Sequence, residues 1–112
     1  MRKRPKYNNR KIERADGKFD SKREYTVWLK LKRQEEMGLI ENLQRQVPFV
    51  LIPKSKFGRE IKYVADYVYN YSNSEQIVVL DLKSEITEKN PVFKLKARLF
   101  AEKYGFEITI LK

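Results

Sequence analysis

Gln76-Ile77-Val78-Val79-Leu80-Asp81-Leu82-Lys83 is the most apolar stretch of the chain, and it runs without a break into two opposite charges. Four consecutive apolar residues suit a central strand covered on both faces. Along a strand, side chains two apart leave the same face. Asp81 and Lys83 therefore share a face, while Leu82 between them points into the core on the other side. A charge beside a packed core is costly unless it is paired or holds a metal.

Working outward, Tyr71-Ser72-Asn73-Ser74-Glu75 reads as a hairpin connection to a preceding strand, Glu60 to Tyr71. That strand alternates, with Ile61, Tyr63, Ala65, Tyr67 and Tyr69 on one parity and Lys62, Val64, Asp66, Val68 and Asn70 on the other. Asp66 then lies a hairpin away from Asp81. Before it, Leu43 to Ile52 reads as a strand, with Pro48 marking an edge or a strand entry. Leu39 to Asn42 is expected to be a short connector with Leu39 and Ile40 tucked under a helix. That helix starts at Ser21-x-x-Glu24, which has the form of a capping box, and should stop near Gly38. Trp28, Leu29 and Leu31 lie on or near its buried stripe.

On the other side of the quoted stretch, Ser84 to Pro91 is expected to be a loop. Val92 to Tyr104 reads as a second helix, carrying Lys94, Lys96, Arg98 and Lys103, and Gly105 ends it. Phe106 to Leu111 is a last strand. The expected fold is α/β: a mixed sheet flanked by helices, in the order α-β-β-β-α-β. Residues 1–112 form a single domain. Residues 1–18 make a basic arm with turn signals at Asn8-Asn9 and Asp16-Gly17. The arm is either a solvated tail or a phosphate-docking element through Arg10, Lys11 and Arg14, and the two are compatible.

Composition narrows the chemistry. Lys and Arg number 25 against 15 Asp and Glu in 112 residues, a formal net charge of +10. Such an excess favours a polyanionic partner, nucleic acid first and an anionic membrane surface second. The chain has no cysteine and no histidine. Thiolate metal sites and Ser–His–Asp or Cys–His mechanisms are excluded. No apolar run approaches the ~18 residues of a membrane span. The basic start is not followed by the apolar stretch of a secretory signal. A soluble, intracellular protein is expected.

Two carboxylates converging across a hairpin repel each other, and a hard divalent cation taking oxygen ligands resolves that repulsion. Bound there, it can lower the pKa of a water and neutralise charge on a phosphate. Lys83 beside it can orient the attacking water or stabilise the phosphorus centre. Asp-x-Lys alone is equally a surface ion pair at a strand end. The acid on the preceding strand and the burial of the strand that carries the motif shift the balance toward a site. Gln46 and the strand tyrosines stay open between site contacts and ordinary strand positions, with packing favoured for the tyrosines.

The wider pattern resembles the PD-(D/E)xK nuclease superfamily, which includes restriction enzymes and Holliday junction resolvases. More closely, it resembles a small phage-encoded, uncharacterised family of that superfamily, related to Holliday-junction-resolvase-like endonucleases. The resembling stretches are Phe19-Asp20-Ser21-Lys22-Arg23-Glu24, Gln46-Val47-Pro48-Phe49, Ile61 to Tyr67, Val78 to Lys83 and Phe93 to Phe100. The resemblance implies a restriction-endonuclease-like core and roles by position. Asp66 and Asp81 match metal-binding acids, Lys83 the catalytic lysine, and Glu24 a helix acid added to the metal site. The carbonyl of Leu82 would be a further ligand. Lys94 and Lys96 match helix positions that meet DNA phosphates, with Arg98 on the same helix. Ala65 and Ser84 depart from the proline and glycine found there in relatives. The implied function is Mg2+-dependent cleavage of DNA, with Mn2+ as substitute, on branched or junction substrates in a phage-infected bacterial cytoplasm. A twofold dimer would suit a symmetric junction. The competing expectation is a basic nucleic-acid-binding module without activity.

Overall fold

In the computed structural model, residues 12–14, 17–19 and 21–112 are described. Helix α1 (Lys22–Glu36) begins where Ser21 accepts a hydrogen bond from the Glu24 N–H. Gly38 follows its end with a φ of 80°, a conformation glycine adopts without a Cβ clash. Four strands build one sheet in the order β3-β4-β5-β6: β3 (Ile40–Ile52), β4 (Ile61–Tyr71), β5 (Ile77–Leu82) and β6 (Thr109–Leu111). The first three pair antiparallel, and β6 lies parallel to β5 after the crossover helix α3 (Pro91–Tyr104). The α/β class, the mixed sheet and the α-β-β-β-α-β order are thus present. Pro48 stands in an edge strand, where its missing N–H costs no ladder bond.

Three local expectations are corrected. Strand β3 starts at Ile40 rather than Leu43, because Ile40 is buried and pairs with Tyr71, leaving Leu39 exposed. Ser84 to Pro91 contains a one-turn helix, α2 (Glu85–Glu88). Ser84 and Thr87 cap each other reciprocally at its start. Leu29 is exposed, since the buried stripe of α1 runs through Trp28 and Leu31. In addition, β1 (Ile12–Arg14) and β2 (Gly17–Phe19) form a small antiparallel pair within the stretch read as an arm.

Two cores lie on the sheet. Phe19, Trp28, Leu31, Ile40, Tyr67, Tyr69 and Leu80 form the first, under α1, with Trp28 stacked on Tyr67 at 6.0 Å. Leu51, Tyr63, Ala65, Val79 and Phe100 form the second, under α3. Strand β5 alternates between them, Leu80 and Leu82 to the first and Val79 to the second. The odd residues of β4 do not keep one face: Tyr63 and Ala65 join the second core, Tyr67 and Tyr69 the first. The alternation slips by one residue at Asp66. Across the ladder, Arg45 pairs with Tyr67 and Val47 with Ala65, and Gln46 between them has a left-handed φ of 53°. A side chain with a Cβ is held there at a cost of about 1 kcal/mol.

Candidate metal and phosphate site

Asp66 stands where the β4–β5 ladder ends. The β4–β5 register ends at Tyr67 opposite Leu80, so Asp66 and Asp81 would be the next pair. Instead of continuing the ladder, the Asp66 carboxylate reaches to β5 and accepts the Leu82 N–H at 2.8 Å. The strands part at this point, and a side chain fills the gap in the hydrogen-bond ladder. On the other flank, β6 completes β5, where the Lys83 N–H donates to the Leu111 carbonyl.

Asp81 is only 2% exposed, the one buried charged side chain among the described residues. Its Oδ2 accepts the Tyr63 hydroxyl at 2.5 Å, and Lys83 Nζ lies 3.0 Å from its Oδ1. That Oδ1 is buried and accepts no aligned hydrogen bond, so the lysine contact is charge attraction rather than a directed bond. The Lys83 ammonium also sits 4.5 Å from the centre of the Phe93 ring on α3. Lys83 is thereby held between a carboxylate and an aromatic face.

Burial is the main cause that pushes the Asp66 carboxyl up to about 6. The hydrogen bond from Leu82 works against this rise, the charges of Asp81 and Glu24 add to it, and Lys83 opposes it. The phenol of Tyr63 is raised by burial first, then by its bond to Asp81. Glu24, in the first turn of α1, thus lies within electrostatic reach of Asp66. Its backbone carbonyl also accepts the Tyr67 hydroxyl at 2.5 Å, tying the helix start to β4.

An open groove of about 540 Å³ leads away from Asp81, lined by Lys62, Lys83, Asn90, Phe93 and Lys96 among others. A second groove, of about 490 Å³, runs along the start of α1 between Lys22, Arg23, Lys30 and Lys112, beside Leu111. Lys112 there is paired with Glu88, and Arg23 donates to the Leu111 carbonyl. Cationic walls of this kind suit the phosphates of a polyanion.

Residues 4–110 match the family described as "Protein of unknown function (DUF1064)". The chain belongs to that family. Neither the curated proteins nor the solved structures compared with it include a match.

The structure brings Asp66, Asp81, Leu82 and Lys83 together, with Glu24 near Asp66. Of the helix cations, Lys96 lines the groove beside Asp81. Lys94 is exposed outside it, and Arg98 lines a different groove between α3 and β6, with Glu102 and Glu107. Arg10 and Lys11 lie outside the described residues, and the side chain of Arg14 does too. Gln46 is exposed on the edge strand. Tyr63, Tyr67 and Tyr69 are packed, while Tyr71 is exposed. Sequence reasoning missed two contributors. Tyr63 holds Asp81, and Lys62 opens the groove. A signal for both was available, since they sit three and four residues before Asp66 on the strand that carries it.

No three acidic side chains among the described residues converge tightly enough to cage a metal ion as they stand. The donors nevertheless fit a hard cation. Asp81 Oδ1 is a buried carboxylate oxygen that faces the Lys83 ammonium without an aligned hydrogen bond, and Asp66 is a carboxyl whose charge is disfavoured first by burial and then by Asp81 and Glu24. Both features are what a divalent ion relieves.

Proposed function

We propose that the chain is a divalent-metal-dependent endonuclease of the PD-(D/E)xK type, hydrolysing phosphodiester bonds in branched or junction DNA. The observation that carries this reading is the parting of β4 and β5 at Asp66 and Asp81, with Lys83 held 3.0 Å from Asp81. Asp66, Asp81, the Leu82 carbonyl and Glu24 would hold Mg2+ or Mn2+. The bound ion supplies Lewis-acid polarisation of the phosphate and a more acidic water. Lys83, anchored by Asp81 and Phe93, is placed to hold the attacking water or the charge growing on the phosphate. Tyr63 positions Asp81. Lys62 and Lys96 hold the flanking phosphates, and the basic α1 groove extends that track. Hydrolysis adds water across the P–O bond, leaving a phosphate end and a hydroxyl end. A phage-infected bacterial cytoplasm is the proposed setting, and a twofold dimer the proposed assembly on symmetric junctions. What the fold itself shows here is that no described helix is long and apolar enough to cross a membrane.

The test uses purified protein with Mg2+ or Mn2+ on linear, flapped and four-way DNA. Metal-dependent cuts that vanish in Asp81→Ala support the reading. Absence of any cut that distinguishes wild type from Asp81→Ala overturns it. Salt-sensitive DNA binding unaffected by metal would point to the inactive binding module instead.

A further inference from the structure

The β3–β4 hairpin ends in Pro53-Lys54-Ser55-Lys56-Phe57-Gly58-Arg59-Glu60. Ser55 and Gly58 exchange both backbone hydrogen bonds, at 3.0 and 3.2 Å, and Ser55 Oγ accepts the Phe57 N–H at 3.1 Å. Lys56 and Phe57 therefore occupy the two central positions of a braced turn. Such positions are usually filled by small or polar residues that shape the backbone. Phe57 does not shape it, and the residue is 88% exposed, outside both cores. The Lys56 ammonium stands 5.0 Å from the ring centre. Lys54, Lys56 and Arg59 flank it along the chain, and Glu60 is the lone acid in the segment.

An exposed aromatic ring beside one ammonium, in a segment rich in cations, matches a ligand with flat apolar faces on an anionic backbone. We infer that Phe57 is a base-stacking residue that packs on splayed or unpaired bases of nucleic acid, with Lys54, Lys56 and Arg59 on the adjoining phosphates. The proposal rests on the DNA-cleaving reading above and deepens it. The same strand joins tip and site: Lys62 lines the groove that also holds Asp81 and Lys83. β4 begins at Ile61, and from Gly58 to Asp66 an extended chain reaches at most roughly 26 Å at about 3.3 Å per residue. That keeps the stacking contact within about eight base steps of the scissile phosphate, at about 3.4 Å per step. Paired duplex hides its base faces, so the contact favours forks and junctions.

The test measures binding of the full chain, in EDTA, to a fork carrying 2-aminopurine at the branch and to a blunt duplex. Wild type is expected to change the 2-aminopurine fluorescence. Phe57→Ala should abolish that change and weaken fork binding roughly 5- to 150-fold, with duplex binding unaltered. Phe57→Trp should restore both. Equal fork binding by wild type and Phe57→Ala, with unchanged 2-aminopurine signal, overturns the inference. So does a Phe57→Ala loss seen on phosphatidylserine–phosphatidylcholine vesicles rather than on the fork. Cleavage of the same fork by wild type with Mg2+, against Asp81→Ala, reports separately on the catalytic reading. Phe57 is exposed, so matching thermal melts establish that the variant is folded.

Discussion

Replacing Asp66 with asparagine should make the metal-free protein more stable at alkaline pH. The folded carboxyl is pushed up to about 6 from 3.8. At about 1.4 kcal/mol per pKa unit, the charged form costs the fold about 3 kcal/mol. Water reaching this half-buried side chain trims the figure to about 2 kcal/mol. Asparagine keeps an oxygen for the Leu82 N–H and removes the charge facing Asp81 and Glu24. For a chain of this size, about 2 kcal/mol corresponds to roughly 8 °C in Tm. The sign follows from linkage. A raised carboxyl contributes stability that is full below about pH 4 and is lost as pH rises through about 6. The gap between variant and wild type should therefore be widest near pH 8 and close toward pH 4. The assay is thermal unfolding by circular dichroism in EDTA across that range. Adding Mg2+ should raise the wild-type Tm and leave Asp66→Asn nearly unmoved, since only a ligand of the folded state stabilises it. A variant less stable than wild type at pH 8, or a gap independent of pH, would refute the reasoning.

Tyr63→Phe deletes the hydroxyl donated to Asp81 and should lower stability by about 1–3 kcal/mol in urea unfolding, while cutting kcat more than it changes KM. Lys83→Met breaks the contact with a nearly buried carboxylate and should abolish cleavage, and Lys83→Arg should not restore it, because a planar fork cannot occupy the place of an ammonium between Asp81 and Phe93. Both are read by single-turnover assays on a labelled junction. Lys62→Gln with Lys96→Gln should weaken DNA binding on every sequence alike and reduce the slope of log K against log salt by about 2, measured by anisotropy titration.

Much of the architecture was legible along the chain because burial imposes a period on it. The run Ile77 to Leu80 announced a two-sided strand, Ser21 and Gly38 bracketed α1, and the spacing of Asp81 and Lys83 put both on one face. The start of β3 was not legible. Whether Ile40 counts as connector or strand depends on its pairing with Tyr71, thirty-odd residues away in sequence. The helical turn at Glu85–Glu88 was missed because Ser84 and Thr87 read as ordinary loop residues until their mutual hydrogen bonds are seen.

The sequence by itself determined the available chemistry: acids and lysines without histidine or cysteine, on a chain with ten excess positive charges. It also tied Lys83 to Asp81, since a strand's two-residue period is local. Tertiary structure alone decided the rest. The register of β4 and β5 carries Asp66 to a place opposite Asp81, and only where the two strands cease to pair does its carboxylate reach the Leu82 N–H. Tyr63 became the partner of Asp81, and Lys96 rather than Lys94 or Arg98 came to the groove, through the packing of α3 on the sheet. Those placements depend on how strands separated in sequence twist and diverge, and that geometry has no local signature.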